Sequence, residues 1–523
     1  MAVAHSRKTL RWLLVVIVLA VIAGITLLKS GADNPPAQAK AAPAALVDTT
    51  PAAVDTESIA QGGAADAPLP DLESLKKLDA DKPPARRKLD LQHWTTEQGS
   101  RVYFMQADEL PMLDVQVLFA AGASRDGDQP GLATLTNAML NEGTGDKDAG
   151  AIAAGFERLG AQFSNSSHRD MALTGLRSLT AADKLDPALA LFAEVVSRPS
   201  FPQDAFERLR NQLQASLRYR LQRPAALASE AFWAGLYPDH PYGSLPEGTP
   251  ESLKQITPTQ LRSFHQEFYA SGNAVIAMVG AIDRQQAERI AQRLADALPE
   301  GLAAAKTPEP DPVALQPTHI PFDAQQTHIL VGQRGISRHD PDYAALYVGN
   351  EMLGGSGFGS ILMEEIREKR GLSYSVGSSL IPMQAPGPFM ISMQTRADQV
   401  EQALEVINNS LDEFIETGPS EADLARTKRQ IMGQFPLSTA SNAAIVGQLG
   451  AIGFYDLPLN HMQLFMDRIQ ALSTEEIREA FARHFAQGER LVVTVGPVLE
   501  TPEDHPNDTN TETAPDAPEE ATP

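Results

Sequence analysis

Residues 117–144, VLFAAGASRDGDQPGLATLTNAMLNEGT, and residues 330–357, LVGQRGISRHDPDYAALYVGNEMLGGSG, follow one plan. Each runs as an apolar strand, a G-x-S-R turn, a short polar stretch and an amphipathic helix closed by glycine. Two further blocks repeat in the same order. ALALFAEVVSRPSFPQDAFERLRNQLQASL (188–217) parallels ALEVINNSLDEFIETGPSEADLARTKRQIM (403–432), and YASGNAVIAMVGAID (269–283) parallels FAQGERLVVTVGPV (485–498). Repeats this long describe two copies of one α/β unit rather than a solenoid.

Working outward, residues 89–94, 101–105 and 113–120 alternate as short strands, the last entered through the Leu110-Pro111-Met112 turn. After Gly131, Leu132, Leu135, Met139 and Leu140 recur with the helical period, which predicts a helix packed on a sheet. A strand over 172–176, helices over 183–196 and 203–221, a strand over 274–279 and a helix over 284–298 follow. Strands with helices grouped between them predict an α+β protein whose sheets are antiparallel or mixed and covered on one face. The expected divisions are a first domain at 89–299, a Pro/Ala-rich linker at 300–318 and a second domain at 319–498.

The 523 residues suffice for two or three domains with substantial cores. A formal charge of −23 excludes a nucleic-acid partner, which needs a basic face. Part of that charge sits in residues 499–523: from 500 onward there are eight acidic residues and no lysine or arginine. That composition predicts a disordered, solubilising tail, with a docking segment as the alternative. With no cysteine there can be neither a disulfide nor a thiolate metal site.

At the N-terminus, His5-Ser6-Arg7-Lys8 and Arg11 precede WLLVVIVLAVIAGITLL (12–28). The stretch exceeds a usual signal-peptide core and reaches the lower limit of a membrane span. It predicts a signal anchor over 1–29 with its basic end in the cytoplasm. The expected location is then the inner membrane, single-pass, with the globular part in the periplasm; cleavage near Ala37-Gln38-Ala39, leaving a secreted or periplasmic form, is the alternative. Residues 30–88, rich in Ala, Pro and Asp, read as a flexible tether.

A scan for chemistry returns little. There is no H-E-x-x-H, no H-x-x-E-H and no G-x-S-x-G, and the eleven histidines share no ligand spacing. The run Gly354-Gly355-Ser356-Gly357-Phe358-Gly359 lacks the lysine of a phosphate loop.

The repeated unit resembles the M16 family of zinc peptidases (pitrilysin- and insulinase-like) and its mitochondrial processing peptidase relatives, over about residues 89–498. The first helix of that family reads G-L-A-H-x-x-E-H-M-x-x-x-G-T; here residues 131–144 read GLATLTNAMLNEGT. By this resemblance the metal histidines fall at Thr134 and Ala138, the general-base glutamate at Asn137 and the third ligand, some 76 residues on, at Gln214. Thr, Ala and neutral Gln cannot assemble a zinc site and Asn cannot take the proton. Glu142 and Glu207 are nearby acids but have no histidine to complete a site.

The second copy retains IREKRGLSYSV (366–376), similar to the family's R-x-x-x-x-G-L-x-Y element. The resemblance implies that Arg367 and Tyr374 bind substrate backbone and stabilise an oxyanion at the zinc of a facing half, hydrogen-bond donation that suits both groups. It further implies two M16-type (LuxS/MPP-like) α/β domains forming half of a clamshell behind the membrane helix. The expected function is a substrate-binding, oxyanion-stabilising subunit of a heteromeric zinc metallopeptidase, inactive alone. This chain would bind no cofactor, Zn2+ being held by a zinc-binding M16 partner, and peptide would enter by strand addition. The alternative is a non-catalytic scaffold or peptide-holding protein of the same fold.

Overall fold

The computed structural model describes residues 89–355, 359–486 and 489–498. The first half builds a six-stranded mixed sheet from β1 (Gln92–Thr95), β2 (Arg101–Gln106), β3 (Met112–Phe119), β6 (Gln162–Ser167), β7 (Ala172–Leu179) and β8 (Ala274–Gly280), in the order β1-β2-β8-β3-β7-β6; β4 (Gly143–Thr144) and β5 (Lys147–Asp148) form a separate hairpin. The second half builds a five-stranded sheet from β9 (Thr318–Pro321), β10 (Gln326–Arg334), β11 (Val376–Leu380), β12 (Pro388–Arg396) and β13 (Leu491–Gly496), in the order β11-β12-β10-β13-β9. The repeated blocks occupy matching places. β3 and β10 each lie between two antiparallel neighbours. β8 and β13 each pair in parallel with the next strand outward, β2 or β9.

The glycine of each G-x-S-R turn is explained by close approach. A Cβ on Gly122 would lie 2.4 Å from the carbonyl oxygens of His168 and Arg169 in the β6–β7 turn. At Gly335 it would meet Leu380 at 3.0 Å and the Gly387 carbonyl at 3.1 Å. At Gly122 any larger residue pushes the turn off its neighbour, while at Gly335 the neighbours must give by a few tenths of an ångström.

Helices Ala182–Ser197 and Gln203–Arg220 contribute to the first main core; Val400–Thr417 and Glu421–Gln434 contribute to the second. The expectation of one covered face is corrected here. The other face of each sheet is covered by a helix from the opposite half. Helix Asn442–Phe454 lays Ile445, Val446, Leu449 and Ile452 on Tyr103, Val275, Ala277 and Val279 of the first sheet. Helix Pro224–Leu236 lays Ala228, Phe232 and Leu236 on Leu330, Leu491, Val493 and Val495 of the second. Every residue of β8, AVIAMVG, is buried, as a strand covered on both faces requires. The two crossing helices, PAALASEAFWAGL and NAAIVGQLGAIGF, are apolar on nearly all sides, which suits burial and not an exposed surface. Their ends repeat as well: Gly235-Leu236-Tyr237 matches Gly453-Phe454-Tyr455, and both glycines sit where the helix meets a strand of the other half.

The halves are also joined by a buried polar link. Asp170, 2% exposed in the β6–β7 turn, accepts from the Tyr242 hydroxyl at 2.6 Å and the Gln384 amide at 2.9 Å. Burial raises its pKa, and these two hydrogen bonds partly offset that shift. The segment between the halves is strapped down by its carbonyls: Arg125 binds that of Ala305 at 2.6 Å, His240 that of Pro308 at 2.8 Å, and Arg334 those of Pro310 and Asp311.

The membrane helix is a second correction. Among the described residues no helix is long and apolar enough to cross a membrane. The two longest, Gln203–Arg220 and Val400–Thr417, have 18 residues each and carry several charges outside a single buried face. Residues 12–28, on which the expectation fell, lie outside the described residues, as do most of the tether and the acidic tail. The described residues form an α/β fold with no anchoring helix among them, and the expected inner-membrane partner, single-pass topology and periplasmic placement built on that helix lose their support.

Candidate functional site

Two groups of residues were singled out by the sequence, and the structure treats them differently. The first lies on helix Leu132–Ala138, whose N-terminus is held by a buried carboxylate: Asp126 accepts from the amides of Gly131 at 2.9 Å and Ala133 at 2.7 Å. Burial pushes the Asp126 pKa up to about 7, against the pull of those two hydrogen bonds. On this helix Thr134 donates its hydroxyl to the Pro246 carbonyl at 2.7 Å. Asn137, 3% exposed, donates to the Leu173 carbonyl at 3.3 Å and the Tyr269 hydroxyl at 3.2 Å. Asn165 of β6 donates to the Asn137 carbonyl at 2.6 Å. Ala138 is a half-buried methyl group, and Gln214 is half-buried on helix Gln203–Arg220.

These contacts are structural. Asn350, at the position matching Asn137 in the second copy, lies 3.5 Å from the Ser378 carbonyl and accepts from Ser378 Oγ on its own carbonyl at 3.4 Å. In both halves an asparagine therefore ties the helix to the strands at the sheet edge. Nor do the neighbouring acids supply a site. Glu142 is paired with Arg208 at 2.5 Å, and Glu207 accepts from Gln203 at 2.8 Å. The nearest buried histidine, His265, stacks on Tyr269 at 4.9 Å and is bonded to the Val196 carbonyl at 2.8 Å. Burial depresses its pKa to about 4. A zinc ion does not fit this donor set: a methyl group, a hydroxyl spent on a carbonyl and an amide spent on the sheet offer no ligands.

Among the described residues one trio could gather around a cation, Asp340, Asp342 and His484. It lies outside these positions and is occupied by protein: Arg483 grips Asp342 through two bonds of 2.9 and 2.8 Å, and His484 adds a third at 3.1 Å. Arg483 holds the Asp342 carboxyl below the usual carboxylate range.

The second group is brought together. Arg367 sits in the π-helical turn Met363–Glu368, anchored inward by Met363 and Ile366. The chain then reverses at Gly371, whose φ of +61° suits glycine. Leu372 plugs into the core, its amide donating to the Ile366 carbonyl at 2.9 Å and its carbonyl accepting from Thr395 at 2.6 Å. Ser373 folds back on Ser375 at 2.7 Å. Between these fixed points Tyr374 is 74% exposed, just before β11. The Arg367 guanidinium stands 4.8 Å from its ring centroid. A glutamate, Glu368, lies 3.5 Å from Arg367 Nε.

Sequence reading missed Asp170, Tyr242 and Tyr269. Each is an isolated residue in its segment, and only the closure of distant elements gives it a partner.

Comparison with known proteins places this architecture. Residues 104–244 match the family model of insulinase, peptidase family M16, and residues 255–431 match that of the peptidase M16 inactive domain. The crystal structure of a peptidase M16 inactive domain from Pseudomonas fluorescens is similar at 49% identity and a TM-score of 0.77, covering 79% of this chain and 99% of that one. A Helicobacter pylori protein called non-peptidase homolog YmxG is 28% identical over 383 residues, 72% of this chain and 87% of that protein. The crystal structure of a Helicobacter pylori protease shares the fold at 19% identity and a TM-score of 0.72, covering 78% of this chain and all of that one. The chain belongs to the M16 peptidase family, and it carries no clear catalytic zinc motif of its own.

Proposed function

We propose that this chain is a non-catalytic M16-fold protein that holds extended peptide, with Arg367 and Tyr374 contacting the bound chain. The observation that carries the reading is a contrast. The side chains at 134 and 137 are consumed by internal hydrogen bonds, whereas Tyr374 is presented to solvent beside Arg367 on a loop pinned at both ends. An extended peptide needs partners for its carbonyl oxygens, and a guanidinium and a phenol both donate to them. β11 is the edge of its sheet, so a strand added there runs past Tyr374, two residues before it. The names of the Pseudomonas and Helicobacter relatives, an inactive domain and a non-peptidase homolog, point the same way.

The exposure of Tyr374 favours one further reading: the pair serves a second M16 chain that carries zinc, stabilising an oxyanion there. One experiment separates the two. A labelled extended peptide is titrated into the full chain, and turnover by a zinc-bearing M16 protein from the same cell is measured with and without it. Saturable binding that R367A/Y374A abolishes, with turnover unchanged, supports the holding role. Turnover raised by this chain and lost with R367A/Y374A supports the second reading. Binding and turnover both indifferent to the double substitution overturn both.

A further inference from the structure

In a chain of net charge −23, helix Gln203–Arg220 and the residues after it carry Arg208, Arg210, Arg218, Arg220 and Arg223 against only Asp204 and Glu207. Arg208 is spent on Glu142, Arg210 lies over the Phe206 ring at 5.1 Å, and Arg220 stands 3.7 Å from Glu247. The far end is different. Arg218 and Arg223 are exposed, and between them stand Tyr219 and Leu221, 63% and 58% exposed. Arginines in a last turn complement the helix dipole, but that does not account for Arg223, which lies past the helix, or for two large apolar side chains left in water. Spacings of four and three residues place Gln214, Arg218 and Leu221 along one face, so this tip continues the face that bears the position of the lost third ligand.

We propose that the tip is the docking surface for the chain's own acidic C-terminus, through Pro515-Asp516-Ala517-Pro518-Glu519-Glu520. The match is chemical and spatial. Prolines three apart share one face of a polyproline II turn, where they stack on an aromatic and an aliphatic side chain; Tyr219 and Leu221 supply these. Asp516, Glu519 and Glu520 then meet Arg218 and Arg223. Residues 500–523 hold eight acidic groups and no lysine or arginine, so no charge in the segment opposes the contact. The reach suffices. Helix Pro224–Leu236 packs on β13 with Gly235 against Leu491. Arg223 and Val498 therefore each lie within about 25 Å of that contact, while the chain from Val498 to Pro515 spans up to about 56 Å. Tethering gives the segment a millimolar effective concentration, so a weak site is filled.

The absence of cysteine makes the test direct. Gln222→Cys, exposed at the tip, reports its covering through the rate of labelling by a bulky maleimide; Gln402→Cys, exposed on helix Val400–Thr417, is the control. In the full chain at low salt, labelling at 222 should be slower by roughly threefold or more than in a chain ending at Val498, as a millimolar tether implies. R218E/R223E in the full chain should restore the fast rate. Salt at about 0.5 M should narrow the difference, and position 402 should not respond. Equal rates at 222 with and without the tail overturn the proposal. So does protection that survives removal of the tail and grows with protein concentration, which would assign the surface to a second copy.

Discussion

The guanidinium of Arg367 lies 4.8 Å from the ring centroid of Tyr374, across a reversal made at Gly371. The two residues are seven apart in sequence and come from different elements, a π-helical turn and the lead into β11. At an exposed site such a contact is worth about 0.5–1 kcal/mol. It arranges two hydrogen-bond donors without holding the fold together.

Loss of either side chain should therefore separate binding from stability. R367A and Y374A are each expected to weaken binding of an extended peptide about tenfold, the loss of one charge-assisted or buried hydrogen bond. The unfolding free energy should fall by no more than about 1 kcal/mol, the worth of the exposed ring contact. Fluorescence anisotropy and urea titration on the same samples check both. Y374F isolates the hydroxyl, and should resemble Y374A if donation rather than stacking matters.

Asn137 should behave in the opposite way. N137A removes a buried amide from the Leu173 carbonyl and the Tyr269 hydroxyl, and should cost about 1–3 kcal/mol with no effect on peptide binding. N350A should cost less, because it removes only the long 3.5 Å contact to the Ser378 carbonyl, the bond from Ser378 Oγ being made to the Asn350 backbone carbonyl. A wild-type midpoint for N137A in urea would show that the asparagine does not tether the helix.

How much of this was legible beforehand follows from which signals are local. The duplicated strands, the G-x-S-R turns and the helices near 183–196 and 203–221 lie in contiguous patterns, and the structure has them at 182–197 and 203–220. Arg367 and Tyr374 could be picked out because their motif is short. The crossing of helices Pro224–Leu236 and Asn442–Phe454 was not read, although their all-round apolar character and the Gly-Leu-Tyr and Gly-Phe-Tyr ends carry that signal. The link from Asp170 to Gln384 spans 214 residues and leaves no pattern in sequence. The apolar stretch at 12–28 shows the converse, since hydropathy alone led to a topology that no described helix supports.

The crossed packing makes its own prediction. A Cβ at Gly453 would lie 2.4 Å from Val275 Cγ1 and 2.5 Å from the Tyr103 ring, whereas at Gly235 it meets only the flexible Leu491 methyls, at 2.8 Å. G453A should thus destabilise by about 1–3 kcal/mol, and G235A by clearly less. Thermal unfolding of the two variants ranks them. The reverse order would mean that the first sheet yields more readily than the second.

Asp126 gives the stability a defined pH dependence. Its pKa rises from an ordinary 3.8 in the unfolded chain to about 7 when folded, chiefly through burial. Between these values the folded chain holds the proton that the unfolded chain releases. The group's contribution is therefore full below pH 3.8 and is lost as pH rises to about 7, by up to about 4 kcal/mol. Asn at this position keeps one acceptor for the amides of Gly131 and Ala133 and does not titrate. The stability difference between wild type and D126N, measured in urea at pH 4.5 and pH 7.5, should shift in favour of D126N at the higher pH.

The most direct test of the central claim uses the purified full chain with an extended, labelled peptide and added zinc, following anisotropy and cleavage together. Saturable binding without cleavage, with zinc below about one tenth of an equivalent retained after dialysis and with binding abolished by R367A/Y374A, is the predicted result. Cleavage by this chain alone that depends on zinc would contradict it, because it would require ligands that positions 134, 137, 138 and 214 do not supply.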